Sequence, residues 1–393
     1  VQHNDVAYFA GLEAEVPPGL VESLSDLRLI DHHVHGTFTA AISRATFEES
    51  INEGSPDPIP SFMTMFDSQL GFAIRRWGSP QLGLPRDASA DAFWQRRQSM
   101  EPAELDRTML AGAKVEHWIV DTGFSSSEIS TPAALAEASG SPSSEIVRLE
   151  LLAEAVAGRC ASPSDFADAF RAALAESATS AVGFKTIAAY RVGLDIDWNR
   201  PTDAAVTTAV ESWLRDADGE DLRLAHPVVI AFLVHMAADL ALPIQFHIGF
   251  GDRDLDLHRC DPMQLLPLLR LPGIRQAPIM LLHCWPFHRQ AGYLAQAFDN
   301  VYFDVGLAVN YVGAQAEQVI RESLEVAPFA KQLYSSDAFG PPELHLLGSI
   351  LWRRSMGVVI GDWVRRGDWS LTDANRVLRM IGSDNARRVY AID

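Results

Sequence analysis

The chain has 393 residues, 48% of them hydrophobic and 21% charged, an ordinary globular balance with apolar material for a large core. A formal net charge of -19 excludes the clustered basic surface that a phosphate backbone requires, so nucleic acid is not an expected partner. Three cysteines, Cys160, Cys260 and Cys284, form no C-x-x-C pair, and no apolar stretch approaches the roughly 20 residues that span a bilayer. The opening stretch from Val1 to Pro18 is acidic and lacks a basic region followed by an apolar run, so a cytoplasmic protein with no membrane partner is expected.

In chain order, eight short β-branched or apolar runs alternate with helical patterns. They are Leu27 to His33, Val115 to Asp121, Ile146 to Glu150, Val182 to Thr186, Pro243 to His247, Ile279 to His283, Val301 to Val305 and Leu333 to Asp337. Between them, Ser164 to Glu176, Ala204 to Asp216, Val229 to Ala241 and Pro341 to Val364 carry Ala, Leu and charged residues at helical spacing. Eight strands alternating with helices predict an α/β fold, a (β/α)8 TIM barrel forming one domain over residues 1–393. Phe38 to Gly112 is too long for a single barrel connection and holds helical patterns around Ser61 to Trp77 and Asp87 to Ser99. It is expected to be a helical insertion over the barrel mouth. Ser125 to Ser144, rich in Ser, Ala and Gly, is expected to be a mobile loop, either a lid or a plain surface connection.

In a barrel strand alternate side chains point inward, and the carboxyl ends face the active-site mouth. On that parity Asp31, His33 and His35 share one face of the first strand, Gln245 and His247 of the fifth, Leu281 and His283 of the sixth, and Ser335 and Asp337 of the eighth. Four histidines and one aspartate therefore converge at one end of one barrel, which packing alone does not explain. Imidazole and carboxylate suit Zn²⁺ and related first-row divalent ions, with Mn²⁺ a second option. Three histidines and one aspartate leave room for a water whose pKa such an ion lowers to about 7.

Asp31-His32-His33-Val34-His35-Gly36, together with the later His, His and Asp, resembles the amidohydrolase superfamily. The closing Asp384-Asn385-Ala386-Arg387-Arg388-Val389-Tyr390 resembles the terminal helix of its amidohydrolase-2 branch, which includes hydrolases and metal-dependent decarboxylases. Gly183-Phe184-Lys185-Thr186-Ile187-Ala188-Ala189-Tyr190-Arg191 and Tyr334-Ser335-Ser336-Asp337-Ala338 are similar to the amidohydrolase-like domain fused to glutamine-synthetase-like proteins. The resemblance implies that His33, His35, His247 and Asp337 bind the metal, that Asp337 also accepts a proton from the nucleophilic water, and that His283 polarises the substrate or shuttles a proton. One ion is favoured over two.

Lys185 has three readings: a carboxylated bridge between two metals, an ammonium holding a substrate anion, or a neutraliser of interior carboxylates. Tyr190 and Arg191 are candidates to hold a substrate carboxylate, and Arg253 is a weaker one. Arg148 and Glu150, two apart on the third predicted strand, are expected to form an interior ion pair, with Glu150 as a bridging metal ligand the sharper alternative. His32 and His117 are expected to be hydrogen-bonding or packing residues, and His258, His288 and His345 are assigned no role. The expected reaction is hydrolysis of an amide-type C–N bond in a small carboxylate-bearing substrate, with a γ-glutamyl amide suggested by the glutamine-synthetase-linked resemblance. The alternative is non-oxidative decarboxylation of a small organic acid, and a third reading is a barrel kept as a binding protein. The partner is a small molecule, and association into a homodimer fits barrels of this type.

Overall fold

The computed structural model describes residues 9, 11, 12, 14–124, 126–217 and 222–393. Most of the opening stretch read for a secretion signal, and Ser125 of the Ser/Ala/Gly-rich loop, lie outside the described residues. Seven parallel strands form one sheet in sequential order: β1 (Leu29–Val34), β2 (Val115–Asp121), β3 (Ser143–Arg148), β4 (Gly183–Thr186), β5 (Ile244–Ile248), β6 (Ile279–His283) and β7 (Val301–Phe303). Sequential parallel order requires a crossover after every strand, and the helices supply it.

The eighth expected strand, Leu333 to Asp337, is not a regular strand, yet it lies between the two edges of the curled sheet. Leu333 N donates to Phe303 O of β7 (3.0 Å), whereas His32 N donates to Tyr334 O (3.2 Å) and Asp337 N to His33 O (3.1 Å) on the β1 side. Asp337 itself has φ 51, in the left-handed region, which breaks strand geometry at the residue that must point into the mouth.

Burial on the sheet follows its pleat. Phe184, Ile244, Phe246, Ile248, Leu281 and Phe303 face outward into one helical layer, while Ile30, Ile119, Ile146, Met280, Leu282 and Tyr302 pack inside the curl. The helix Asn385–Tyr390 closes the inner cluster from below through Ala386 and Tyr390. A second outer layer is built on the 25-residue helix Pro342–Arg366, buried along most of its length.

Several expectations need correction. The third predicted strand stops at Arg148, because Leu149–Ala157 is a helix whose first turn holds Glu150. The run read as a mobile loop contains the helix Pro132–Ser139, capped by the Thr131 side chain, and the first residues of β3. Between β1 and β2 the chain forms helices at Arg44–Ser50, Gln69–Ala73, Ala90–Gln98 and Pro102–Ala113. The pattern around Ser61 to Trp77 is not one helix. It divides into a 3-10 turn, a short α-helix and a π-helical turn.

Candidate active site

At the carboxyl ends of the strands a cavity of about 400 Å³ opens, lined by His35, Lys185, His247, His283 and Asp337 among others. A larger cavity of about 510 Å³, between the segment before β2 and the helix Pro342–Arg366, contains none of these histidines.

Hydrogen bonds fix which ring nitrogens face the first cavity. Gln245 Nε2 donates to the His32 carbonyl (2.8 Å), which can only accept, so its Oε1 is the atom 2.9 Å from His33 Nδ1. His33 therefore carries its proton on Nδ1. The same logic holds for His35, whose Nδ1 donates to the Asp121 carbonyl at 3.0 Å. In their neutral forms both rings turn a lone pair on Nε2 toward Asp337 Oδ1, at 3.0 Å from His33 and 3.4 Å from His35.

Three acceptor atoms facing one another repel unless a cation sits among them, and Lys185 Nζ, 3.1 Å from His33 Nε2, meets only one of the three. His33, His35 and Asp337 offer ligand atoms all within 4.8 Å of one another, a donor set that fits a divalent ion. His247 is not within that close set, but its buried Nε2 has no hydrogen-bond partner and its ring centroid is 4.9 Å from that of His283. His283 Nδ1 lies 3.3 Å from Asp337 Oδ2 without hydrogen-bond alignment.

The electrostatics agree. Burial, then the charge of Lys185, lowers His33 to about 3, keeping it neutral. Burial, then the neighbouring His283, likewise pushes His247 well below the usual histidine value. Burial acts to raise Asp337, but His283, His33 and His35 together hold its carboxyl well below the usual range, so it stays a carboxylate.

Lys185 Nζ is 3.1 Å from His33 Nε2 and 3.8 Å from Asp121 Oδ2, and burial lowers its pKa. Tyr190 packs its ring 4.6 Å from that of His247. Its hydroxyl rests where a Cβ on Gly251 would overlap it, so a larger residue there would have to displace the Tyr190 ring. Arg191 lines the cavity, yet its guanidinium is held by Glu154 at 3.0 Å and by the Leu224 carbonyl. Arg253 pairs with Asp57.

The expected Arg148–Glu150 pair does not form. Arg148 binds Asp121 at 2.6 Å, and Glu150, displaced onto the helix, accepts at Oε1 from Thr186 Oγ1 (2.5 Å) and Ile187 N (3.0 Å) and belongs neither to the cavity lining nor to the close donor set. Parity also fails on β6, where Leu281 faces outward and Leu282 inward. His283 reaches the cavity because its own φ is 66, a left-handed turn at the strand end.

Three residues escaped the sequence reading. Asp304, fully buried after β7, accepts from His32 Nε2 (3.0 Å), His283 N (2.9 Å), Gly306 N (2.7 Å) and Ser335 Oγ (2.8 Å). A lone aspartate at the carboxyl end of an apolar strand, two residues after inward Tyr302, was the available signal. His345 donates to the His35 carbonyl at 3.0 Å and so steadies a candidate ligand from the long helix. Glu53 lines the cavity, and burial, then the charges of Asp337 and Asp252, raises its pKa to about 8. It sits in an irregular loop where no periodicity marks it.

Two of the buried histidines set an acid limit on the fold. His33 at about 3 and His345 at about 4 both titrate at the ordinary histidine value of 6.5 once unfolded, so the unfolded state binds more protons below pH 6.5. Stability held above pH 6.5 is therefore lost as pH falls, by about 2 kcal/mol per residue at pH 5. The urea midpoint of metal-stripped protein should drop between pH 7 and pH 5, and an unchanged midpoint would contradict the neutral-histidine assignment.

A curled parallel sheet with histidines and an aspartate at its carboxyl end is the frame of a metal-dependent enzyme. The amidohydrolase family model matches residues 153–392, more than half of the sequence, and the chain belongs to that family. It is 28% identical over 408 residues to the protein fluG of Emericella nidulans, covering 93% of this chain but 46% of that relative, so the chain spans about half its length. Among solved structures, a Lactobacillus casei protein provisionally named a metal-dependent hydrolase superposes with a TM-score of 0.83 at 24% identity, over 94% of this chain and 96% of that one. A uronate isomerase of Thermotoga maritima shares the fold more distantly, with a TM-score of 0.63 at 14% identity over 97% and 99% of the two chains. Among the described residues no helix is long and apolar enough to cross a membrane.

Proposed function

We propose that the enzyme hydrolyses an amide-type C–N bond in a small carboxylate-bearing substrate, of which a γ-glutamyl amide is the first to try. The observation that carries this reading is the convergence of the His33 and His35 Nε2 lone pairs on the Asp337 carboxylate at the floor of a substrate-sized cavity. His33, His35, His247 and Asp337 would hold one ion, zinc in the first instance. Such an ion supplies Lewis acidity toward the substrate carbonyl and an acidified water. The segment Leu333 to Asp337 then serves as the eighth stave of the barrel, delivering Asp337 to that ion.

The protein's own part is proton handling and orientation. Asp337, ionised and adjacent to His283, takes a proton from the attacking water as its oxygen bonds to the carbonyl carbon, and returns it to the nitrogen as the C–N bond breaks. His283, held by Asp304 through its backbone, is placed to donate to the developing oxyanion or to pass that proton on. Lys185, with Arg148 and Arg191 beside the cavity, provides positive potential for a substrate carboxylate. Tyr190 packs beside His247 and bounds the cavity on that side.

Metal-replete protein incubated with γ-glutamyl amides should release free amine and glutamate, followed by chromatography of both products. Carbon dioxide released without amine would instead place the enzyme among decarboxylases, and no product from either class of substrate would overturn the reading.

A further inference from the structure

We propose that Glu53 recognises an ammonium group on the substrate, so that the substrate is a zwitterion. This rests on the amide-hydrolysis reading and narrows its substrate class. The cavity is lined by two sets of charge that come from different parts of the chain. The cationic set is Arg148, Lys185, Arg191 and Arg223, carried by the ends of β3 and β4 and by the segments that follow β4. The acidic set, besides Asp337, is Glu53 from the connection between β1 and β2, with Asp252 and Asp254 from the segment after β5.

Leaving Arg223 aside, three of these cations share two carboxylates: Asp121 lies between Arg148 at 2.6 Å and Lys185 at 3.8 Å, and Glu154 holds Arg191 at 3.0 Å. The acidic set has no fixed cation. Among the described residues Glu53, Asp252 and Asp254 form no ion pair, and Arg253, which lies between the two aspartates, is turned onto Asp57. That Arg253–Asp57 pair joins the Glu53 segment to the segment after β5, which brings the three carboxylates to the same cavity. Glu53 also meets the Tyr311 hydroxyl, a contact that orients it, and its raised carboxyl becomes a carboxylate when an ammonium supplies the missing counter-charge.

A cavity with surplus positive charge in one set and acidic groups that lack a cation in the other complements a molecule bearing both charges. The α-carboxylate and α-ammonium of an amino acid derivative meet that description, whereas a simple dicarboxylic amide would leave Glu53 facing no counter-charge. A charge-assisted hydrogen bond to an ammonium is worth roughly 10- to 100-fold in affinity.

The test compares γ-glutamyl-p-nitroanilide with glutaryl-p-nitroanilide, which differ only in the amino group, on holoenzyme and on Glu53→Gln. The variant should lose about 30-fold in kcat/KM for the first substrate, chiefly through KM, and stay within about twofold for the second. Metal content should be unchanged. Equal loss on both substrates, or loss of an ion from Glu53→Gln, would overturn the proposal and give Glu53 a structural or metal-binding role. Calorimetric binding of glutamate against glutarate reads the same discrimination without turnover. If the wild-type enzyme cleaves neither anilide yet prefers glutamate through Glu53, hydrolysis fails and ammonium recognition stands; if it binds both alike, ammonium recognition fails by itself. Tyr311→Phe, which removes the orienting hydroxyl and keeps the carboxylate, should retain most of the preference, and its complete loss there would also count against a direct ammonium contact.

Discussion

Asp337→Asn is expected to lower kcat/KM for amide hydrolysis by about 10³- to 10⁴-fold and to reduce bound metal below stoichiometry. The carboxylate is shared: Oδ1 meets the Nε2 atoms of His33 and His35, and Oδ2 meets His283 Nδ1 at 3.3 Å. An amide in its place either turns its NH2 toward the two histidine lone pairs, satisfying them with hydrogens that a cation should replace, or turns it toward His283. Both orientations remove the negative charge that makes the site cationophilic, and neither can accept and return a proton. Elemental analysis beside steady-state kinetics separates the two losses. A variant that keeps its metal and loses only turnover would assign Asp337 to proton transfer alone, and one that keeps full activity would remove it from the site.

Much of this site could be read from sequence because it obeys the pleat. Gly183 and Lys185 on β4, Gln245 and His247 on β5, and Leu333 and Ser335 in the segment before Asp337 each fall inward as alternation requires. What alternation missed lies where the backbone leaves β geometry. His283 enters the cavity through a left-handed residue, against the parity of its own strand. β1 shifts register against β2 between Asp31 and Val34, so strict alternation does not hold through the His32–His33 pair. The β3 boundary was missed because Leu149-Glu150-Leu151-Leu152-Ala153-Glu154 has no Gly or Pro to mark where apolar strand gives way to apolar helix.

The fold itself was legible to the same extent and for the same reason. Seven apolar runs became strands within a few residues of their expected bounds, since a parallel sheet covered on its outer face selects Val, Ile, Leu and Phe wherever it runs. The stretch between β1 and β2 was recognisable as too long and as holding a helix near Asp87 to Ser99, which forms at Ala90–Gln98. Its content, including the loop that brings Glu53 to the cavity, depends on tertiary contacts such as Arg253 with Asp57, 196 residues apart in sequence, which no local pattern encodes.

Asp304 is where stability and chemistry meet, and its removal should show both. One carboxylate accepts from an imidazole, two backbone amides and a hydroxyl, all buried, and burial, which acts to raise its pKa, is outweighed by His32 and the other donors, so it stays ionised well below the carboxylate range. Because the folded pKa lies below the unfolded value of 3.8, this stabilisation is complete at pH 7 and is lost only as pH falls through the acid range. Asp304→Ala strands those donors without an acceptor, which should cost about 3–5 kcal/mol and lower the melting temperature on the order of 5 °C for a chain of this size. The same variant frees the backbone of His283 from the contact that helps hold its left-handed turn, so kcat should fall about 100-fold even in the folded fraction. Asp304→Asn keeps one oxygen for the amides and the hydroxyl and offers His32 an NH2 group that the opposite imidazole tautomer can accept. It should therefore cost no more than about 2 kcal/mol. Thermal denaturation of both variants, with kinetics below their melting points, tests the pair together. If Asp304→Ala melts with the wild type, the network is not holding the fold, and if it melts early but turns over normally, His283 does not depend on it.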